Sequence, residues 1–295
     1  MQMLGYLDFY EFCARLLNEV TYMKIIQHTN MNPYQMMAYT IVTESGHVLV
    51  IDGGHTGNDT ELKRVIKSVG GHVDLWLITH PHSDHHNAVM QVLSDPEGIT
   101  YDRLGATWLP DEWDQPISEV ELRELREWNA FARTLDERYF EIREGQVFQL
   151  GSLKIEVLAG ANPDLTENFG NDQSCVFRLT EQGFTMLFLG DLGVLAGRRL
   201  MDKGYDLRAD AVQMAHHGQQ GVEEAFYQAV APSYAFWPTP DWLWNNGPYL
   251  GGPAGTGPFK TPEVIEWMGK LNTVNITSFD HTVVFDTVTK EIKEY

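Results

Sequence analysis

Apolar positions recur along this chain with two different periods. Between Leu4 and Val20, Phe9, Phe12, Cys13, Leu16, Leu17 and Val20 follow one another at helical spacing, which predicts an amphipathic helix docked on the body. From Tyr22 onward the runs shorten to Met23–Gln27, Gln35–Thr43 and Val48–Asp52, the signature of strands, with Glu44-Ser45-Gly46-His47 as a hairpin turn between the last two. Asp59–Val69 reads as a helix, Asp74–Thr79 as a buried strand, and Ser83 as the cap of a second helix. Such an order fits a sheet faced by helices.

Beyond residue 117 the charge alternation of Ser118–Asp136 predicts a helix with a solvated face. Strands are expected at Leu153–Leu158, Cys175–Leu179, Thr185–Leu189 and Ala211–Met214, with helices after Asp191 and over Glu223–Val230. Residues 236–259 keep neither period. Rich in Trp, Pro, Gly and Asn, they read as either a functional loop or a packed insertion. Phe236, Trp237, Trp242, Trp244 and Tyr249 are candidates to wall a pocket for an apolar or cationic group, or to pack as a lid.

Composition narrows the class. The 295 residues are 43% hydrophobic, enough to bury a substantial core, and are read as one domain over 1–295. A formal charge of −20, with no basic run denser than Arg198-Arg199, disfavours long nucleic acid as a partner and favours a small-molecule substrate. Cys13 and Cys175 form no metal-binding CxxC; two reduced thiols are the simpler reading, one disulfide the alternative. The first residues carry no basic leader, and Asp8 and Glu11 interrupt their apolar runs, so neither a signal peptide nor a membrane partner is expected and the cytoplasm is the expected compartment. Oligomeric state leaves no trace in these patterns.

The candidate chemistry concentrates in one place. After the buried run Val73–Ile78 the chain reads His80-Pro81-His82-Ser83-Asp84-His85-His86, four histidines and a carboxylate in seven positions. Neutral imidazoles and carboxylates are what a borderline divalent cation prefers. On an extended segment His80 and His82 point to one side, while Asp84 and His85 enter the following helix and can face a second cation position. His28, His47, His55, His72 and His281 lack any motif and read as structural, with His55 and His281 the two nearest to other suggestive residues.

His80-Pro81-His82-Ser83-Asp84-His85 resembles the HxHxDH signature of the metallo-β-lactamase superfamily. Val50-Ile51-Asp52-Gly53-Gly54, Leu187-Phe188-Leu189-Gly190-Asp191 and Ala215-His216-His217-Gly218 resemble three further family motifs, in the family's order, over about Met23–Val230. The resemblance implies an α/β fold, a four-layer αββα sandwich, with two divalent ions, Zn²⁺ or Mn²⁺, at one edge. It implies His80, His82 and Asp191 at a first site, and Asp84, His85, Asp191 and either His216 or His217 at a second. His217 is favoured because His-Gly aligns best. His216 would then touch substrate or protonate a leaving group, and Asp84 and Asn171 join it as candidate catalytic residues. Asp52 is expected to orient a ligand histidine, and His86 to donate a supporting hydrogen bond or cap the helix.

One departure narrows the branch. No histidine lies between His86 and His216, where the family places a further ligand. Asn171-Asp172-Gln173-Ser174 stands there instead, similar to the ComEC-type domain of DNA-uptake proteins and to phosphorylcholine esterases. The first site is therefore expected to bind metal more weakly or to favour a harder ion. Hydrolysis of a small phosphodiester or phosphoester by metal-activated water is the leading expectation. Carboxyl-ester, thioester or lactone cleavage and a non-catalytic metal-binding module are the alternatives. Redox chemistry is disfavoured, since flavodiiron relatives carry a glutamate where this chain has His82.

Overall fold

The computed structural model describes residues 22–112 and 117–295; the helix expected over Leu4–Val20 lies outside them. The strands form two sheets. The first runs in spatial order β15 (Ile292–Glu294), β14 (Val283–Asp286), β1 (Lys24–Gln27), β2 (Ala38–Val42), β3 (Val48–Asp52), β4 (His72–Leu77), β5 (Thr100–Ala106) and β6 (Tyr139–Glu141). In the second the order is β13 (Val274–Thr277), β12 (Tyr234–Trp237), β11 (Ala211–Gln213), β10 (Phe184–Phe188), β9 (Val176–Glu181), β8 (Leu153–Ala159) and β7 (Val147–Leu150).

Side-chain alternation divides each strand between two cores. Leu49 and Ile51 of β3 and Phe177, Met186, Phe188 and Phe236 of the second sheet fill the space between the sheets. Val48 and Val50, on the other face of β3, pack against α1 (Asp59–Ser68), α2 (Ser83–Ser94) and α3 (Glu119–Ala132) through Leu62, Val65, Val89 and Trp128. A single turn, α4 (Phe169–Asp172), precedes β9. Leu187, Val212, Ala235 and Trp237 face outward from the second sheet onto α5 (Val194–Asp202), α6 (Glu224–Val230) and α8 (Thr261–Lys270), while the short α7 (Asp241–Trp244) follows β12. Each fully buried large apolar side chain contributes roughly 1.5–3 kcal/mol relative to exposure. Helix, sheet, sheet, helix is the four-layer order expected.

Parallel pairing positions the site. β3, β4 and β5 are parallel neighbours in one sheet and β10, β11 and β12 in the other. Their carboxyl ends meet along one edge, where α/β folds place their chemistry. At that edge Cys175 N donates to Thr79 O at 2.8 Å, and Gly190 at φ +56° leaves no room for a side chain, since a Cβ would lie 2.9 Å from Thr79 Cβ.

Several elements have no clear sequence pattern. β5 carries Asp102-Arg103 at its centre, and β6, β7, β13 and β15 are short or lie at sheet edges where one side is solvated, so none shows a sustained apolar period. Segment 236–259 is less irregular than expected. Phe236 and Trp237 complete β12 and are wholly buried, and Asp241–Trp244 is helical. Ser83 is the first helical residue of α2, with His82 rather than Ser83 at the cap position. Cys175 is a free, buried thiol, its pKa pushed up to about 12 by burial, while Cys13 lies outside the described residues. Among the described residues no helix is long and apolar enough to cross a membrane.

Candidate metal centre

β3 ends in Asp52, held at φ 57°, a left-handed conformation that costs a non-glycine residue about 1–2 kcal/mol. That turn sends its carboxylate into the interior rather than along the sheet. There Asp52 Oδ1 accepts from Thr79 N at 2.7 Å, and Oδ2 accepts from Thr79 Oγ1 at 2.8 Å and from His85 Nδ1 at 2.7 Å. With Nδ1 committed to Asp52, His85 turns Nε2 inward. It lies 3.2 Å from Asp191 Oδ1 and 4.0 Å from Asp84 Oδ1. Because the Thr79 hydroxyl hydrogen goes to Asp52, its oxygen accepts from His80 Nδ1 at 3.1 Å, which likewise leaves His80 Nε2 facing inward.

The second sheet supplies the opposite wall. Gln213, fully buried, accepts from Leu189 N and Gly190 N, both at 2.8 Å, and donates to Gly190 O at 3.0 Å, which fixes the turn that presents Asp191. Asp191 N donates to Ser174 Oγ at 3.0 Å. After β11, His216 and His217 both adopt left-handed backbone, φ 49° and 53°, and so diverge. His217 Nδ1 donates to Pro238 O at 2.8 Å, and its Nε2 lies 3.1 Å from Asp84 Oδ2 and 3.3 Å from Asp191 Oδ2. His216 instead stands at the mouth. Its Nε2 is 4.0 Å from Asp191 Oδ2 and 3.4 Å from Asn171 Nδ2.

Two groups result, joined at Asp191. Asp84, His85, Asp191 and His217 each bring one ligand atom within 4.8 Å of the others, as do His80, His82 and Asp191. The donor set fits divalent cations on an independent ground. His80 Nε2, His85 Nε2, His217 Nε2 and Asp191 Oδ1 are buried with no well-directed hydrogen bond, although His85 and His217 stand 3.1–3.3 Å from carboxylate oxygens. Buried polar atoms left unpaired cost about 1–3 kcal/mol each, a penalty that a shared cation would remove. Electrostatics points the same way. Burial opposes charge on His85, but attraction by Asp191, Asp52 and Asp84 overrides it and holds the pKa well above the ordinary value. His217 behaves alike, burial being outweighed by Asp191 and Asp84 to give a pKa of about 10. Burial would raise Asp191, yet His217 and His85 pull its carboxyl well below the usual range. The centre therefore demands positive charge, which divalent cations supply by displacing protons. His80, lowered by burial and by its histidine neighbours, is the neutral ligand form.

The structure brings together most of the residues singled out from sequence, and separates a few. His217, not His216, joins the Asp84–His85 group. Asn171 lies in α4 beside His216, donating to Asn168 Oδ1 at 2.9 Å with its own Oδ1 buried and unpartnered. Asp52 makes the bond to His85 expected of it. His86 makes neither a bond to a ligand nor a cap. Neighbouring helical residues point about 100° apart, so His86 turns away from the centre and stacks on Trp128, centroids 5.1 Å apart, with neither ring nitrogen in hydrogen-bond geometry. His55 stacks on Tyr34 at 5.0 Å and His281 faces Glu294 at 3.5 Å; neither enters a metal group. A third group, His72, Asp74 and Asp102, sits away from the centre, and Asp74 is already used by His47 Nδ1 at 2.6 Å and Val48 N at 2.7 Å.

Thr79, Glu121 and Gln213 also shape the centre without belonging to any sequence motif. Thr79 is marked in the sequence only by its place between the strand and His80. Glu121 and Gln213 carry no local signal, since their partners are distant in sequence. Glu121 Oε1 lies 3.8 Å from His82 Nε2, and its pKa is held near 2 by His82, with hydrogen bonds from Ser118 and Gly170 adding to this against burial.

Of the five aromatics nominated from 236–259, Phe236 and Trp237 are core, and Trp244 packs edge-on to Trp237 at 5.0 Å. Tyr249 is exposed, backed by Trp242 at 5.3 Å and joined by Tyr34 at 6.5 Å; burial, Tyr34 and the charge of Asp84 push its phenol up. On the other flank, His216 borders a cavity of about 820 Å³, whose lining includes Glu167, Asn168, Asp172, Lys260 and Trp267.

Two sheets back to back with paired His/Asp groups at one edge define the class: the chain has the metallo-β-lactamase fold. It resembles the metallo-β-lactamase fold protein YhfI from Bacillus subtilis with a TM-score of 0.55 at 11% identity, covering 90% of this chain and 99% of that one. A mutant of the CmlA β-hydroxylase gives a TM-score of 0.54 at 13% identity, over 89% of this chain and 54% of the hydroxylase. Among curated proteins it is similar to ComE operon protein 3 of Bacillus subtilis (strain 168), 29% identical over 173 residues, which is 55% of this chain. The chain spans 19% of that relative's length. No family model matches it.

Proposed function

We propose that this chain is a metal-dependent hydrolase that cleaves a small phosphodiester or phosphoester at a centre shared through Asp191. The observation that carries the reading is the convergence of His80, His85, His217 and Asp191, each with a buried ligand atom that makes no well-directed hydrogen bond, in two groups with one carboxylate in common. Divalent cations held there, Zn²⁺ or Mn²⁺, supply Lewis acidity and make a water acidic enough to ionise near neutral pH.

The chain's own residues would do the rest. Asp52 and Pro238 O fix the tautomers of His85 and His217, so that each presents Nε2. Burial lowers the pKa of His216 despite Asp191, and with Nδ1 donating to Gln220 O at 3.3 Å its Nε2 is an acceptor at the mouth beside Asn171 Nδ2, placed to take a hydrogen bond from a substrate hydroxyl or a water. The cavity next to His216 carries five carboxylates, Glu167, Asp172, Glu223, Glu224 and Glu263, against the single Lys260. A second or third phosphate would be repelled there, which with the −20 charge selects a small ester over a polyanion. Tyr34 and Tyr249 offer an aromatic rim for an apolar or cationic substituent. Similarity to ComE operon protein 3 supports the branch read from the missing histidine.

The test is turnover of bis-p-nitrophenyl phosphate, p-nitrophenyl acetate and a homoserine lactone by chain loaded with Zn²⁺ or Mn²⁺. Cleavage of the phosphodiester that chelator abolishes is expected. Turnover of the carbonyl substrates alone would replace this reading with ester or lactone hydrolysis, and turnover of none would favour a binding module.

A further inference from the structure

His82 differs from the other clustered histidines in how it is held. His85 and His217 are locked through Nδ1 by a carboxylate and a carbonyl. The Nε2 edge of His82 instead faces α3 and the loop at α4: a Cβ on Gly170 would lie 1.8 Å from that nitrogen, and Glu121 Oε1 is 3.8 Å away. With that edge occupied, Nδ1 is the nitrogen available to a cation shared with His80 and Asp191, one ligand atom of each residue lying within 4.8 Å of the others.

Glu121 is itself rigidly fixed. Its Oε2 accepts from Ser118 Oγ at 2.7 Å and Ser118 N at 3.2 Å, the reciprocal box that starts α3, and its Oε1 accepts from Gly170 N at 3.2 Å. One turn later Glu124 Oε2 accepts from Ser83 N at 3.2 Å, and a turn beyond that Trp128 stacks on His86. Residues 121, 124 and 128 share one helical face. That face grips the segment His82–His86 at three points, so the acidic stripe of α3 is not merely a solvated surface.

We propose that Glu121 is a positioning residue for His82, giving the first cation site the support that Asp52 gives the second. The inference rests on the metal-centre reading above. A carboxylate at 3.8 Å acts on the imidazole mainly through its charge, or through a small approach when a cation draws on Nδ1. Its hold is looser than that of Asp52 at 2.7 Å, which makes the first site the weaker one.

The test titrates the full chain and its Glu121→Ala and Glu121→Gln variants with Mn²⁺ by calorimetry and with Co²⁺ by visible absorption. In Glu121→Ala one of two ions should bind about 10- to 100-fold more weakly, with its share of the Co²⁺ spectrum altered and the other ion unchanged. Glu121→Gln keeps an acceptor for Gly170 N but removes the charge beside His82, and should therefore weaken the same ion while leaving the melting temperature near that of wild type. Unchanged affinities and spectrum in Glu121→Ala would overturn the proposal while leaving the metal centre standing, as would equal weakening of both ions with a lowered melting temperature. A wild-type chain that takes up no ion would overturn both.

Discussion

The two halves of the centre share Asp191 and are built in different ways. The half formed by Asp84, His85 and His217 is anchored from the sheets: Asp52 at the end of β3 and Pro238 after β12 each fix an imidazole, and both rings are essentially inaccessible. The half formed by His80 and His82 is completed from outside the sheets, by the first turn of α3 and by Gly170 in α4, and the His82 side chain is 19% exposed. Support from regular structure gives a preorganised site; support from a loop and a helix start gives one whose strength depends on packing elsewhere. On the resemblance read from the sequence, the histidine that this chain lacks would have joined this second, looser half.

The largest effect should come from the shared residue. Asp191→Ala should abolish uptake of both ions in calorimetry and lower turnover by about 10³-fold or more, the several kcal/mol of charge stabilisation that the cations supply. Next comes the divergence of the neighbouring histidines. His217→Ala should lose one ion by elemental analysis. His216→Ala should retain both and lower kcat about 10- to 100-fold, and if it lost an ion as well the two histidines would not be divided as described. Asp52→Asn should weaken most the deep site, that of His85 and His217, about 10- to 100-fold in Mn²⁺ affinity, with a smaller loss at the outer site of His80 and His82 through the Thr79 link to His80, and should lower the melting temperature. Gly170→Ala, by pushing a methyl group into His82, should weaken only the outer site, about tenfold, without changing the Co²⁺ signature of the deep one.

A last effect lies away from the centre and is read in stability rather than in metal binding or turnover. His28 is buried against Thr40, and burial lowers its pKa to about 4 from the ordinary 6.5. A depressed histidine stabilises the fold fully above about pH 6.5 and loses that contribution as pH falls toward 4, because the unfolded chain takes up the proton first; the span is worth ~3 kcal/mol. Urea unfolding with chelator present should show this loss in wild type and a shallower one in His28→Gln.

How much of this the sequence discloses follows from the range of each interaction. Val48–Asp52 is visible to the residue because both faces of β3 are apolar and the turn after it is Gly-rich. The His80–His85 cluster is visible because its members are neighbours on the chain. The split between His216 and His217 depends on two left-handed backbone conformations, which no periodicity encodes. Glu121 stands among other glutamates and arginines, and its partners His82 and Gly170 lie about 40 residues before it and 49 after. Gln213, the pivot of the Asp191 turn, reads as one polar residue in a strand. His86 misleads for the opposite reason, since chain proximity suggests a role that helical geometry removes.

The central claim is two unequal cation sites sharing one carboxylate. Calorimetric titration of metal-free chain with Mn²⁺, checked by elemental analysis, tests it most directly. The account predicts two ions per chain with affinities at least about tenfold apart, both lost in Asp191→Ala. A single ion, none, or two ions that survive Asp191→Ala would contradict it.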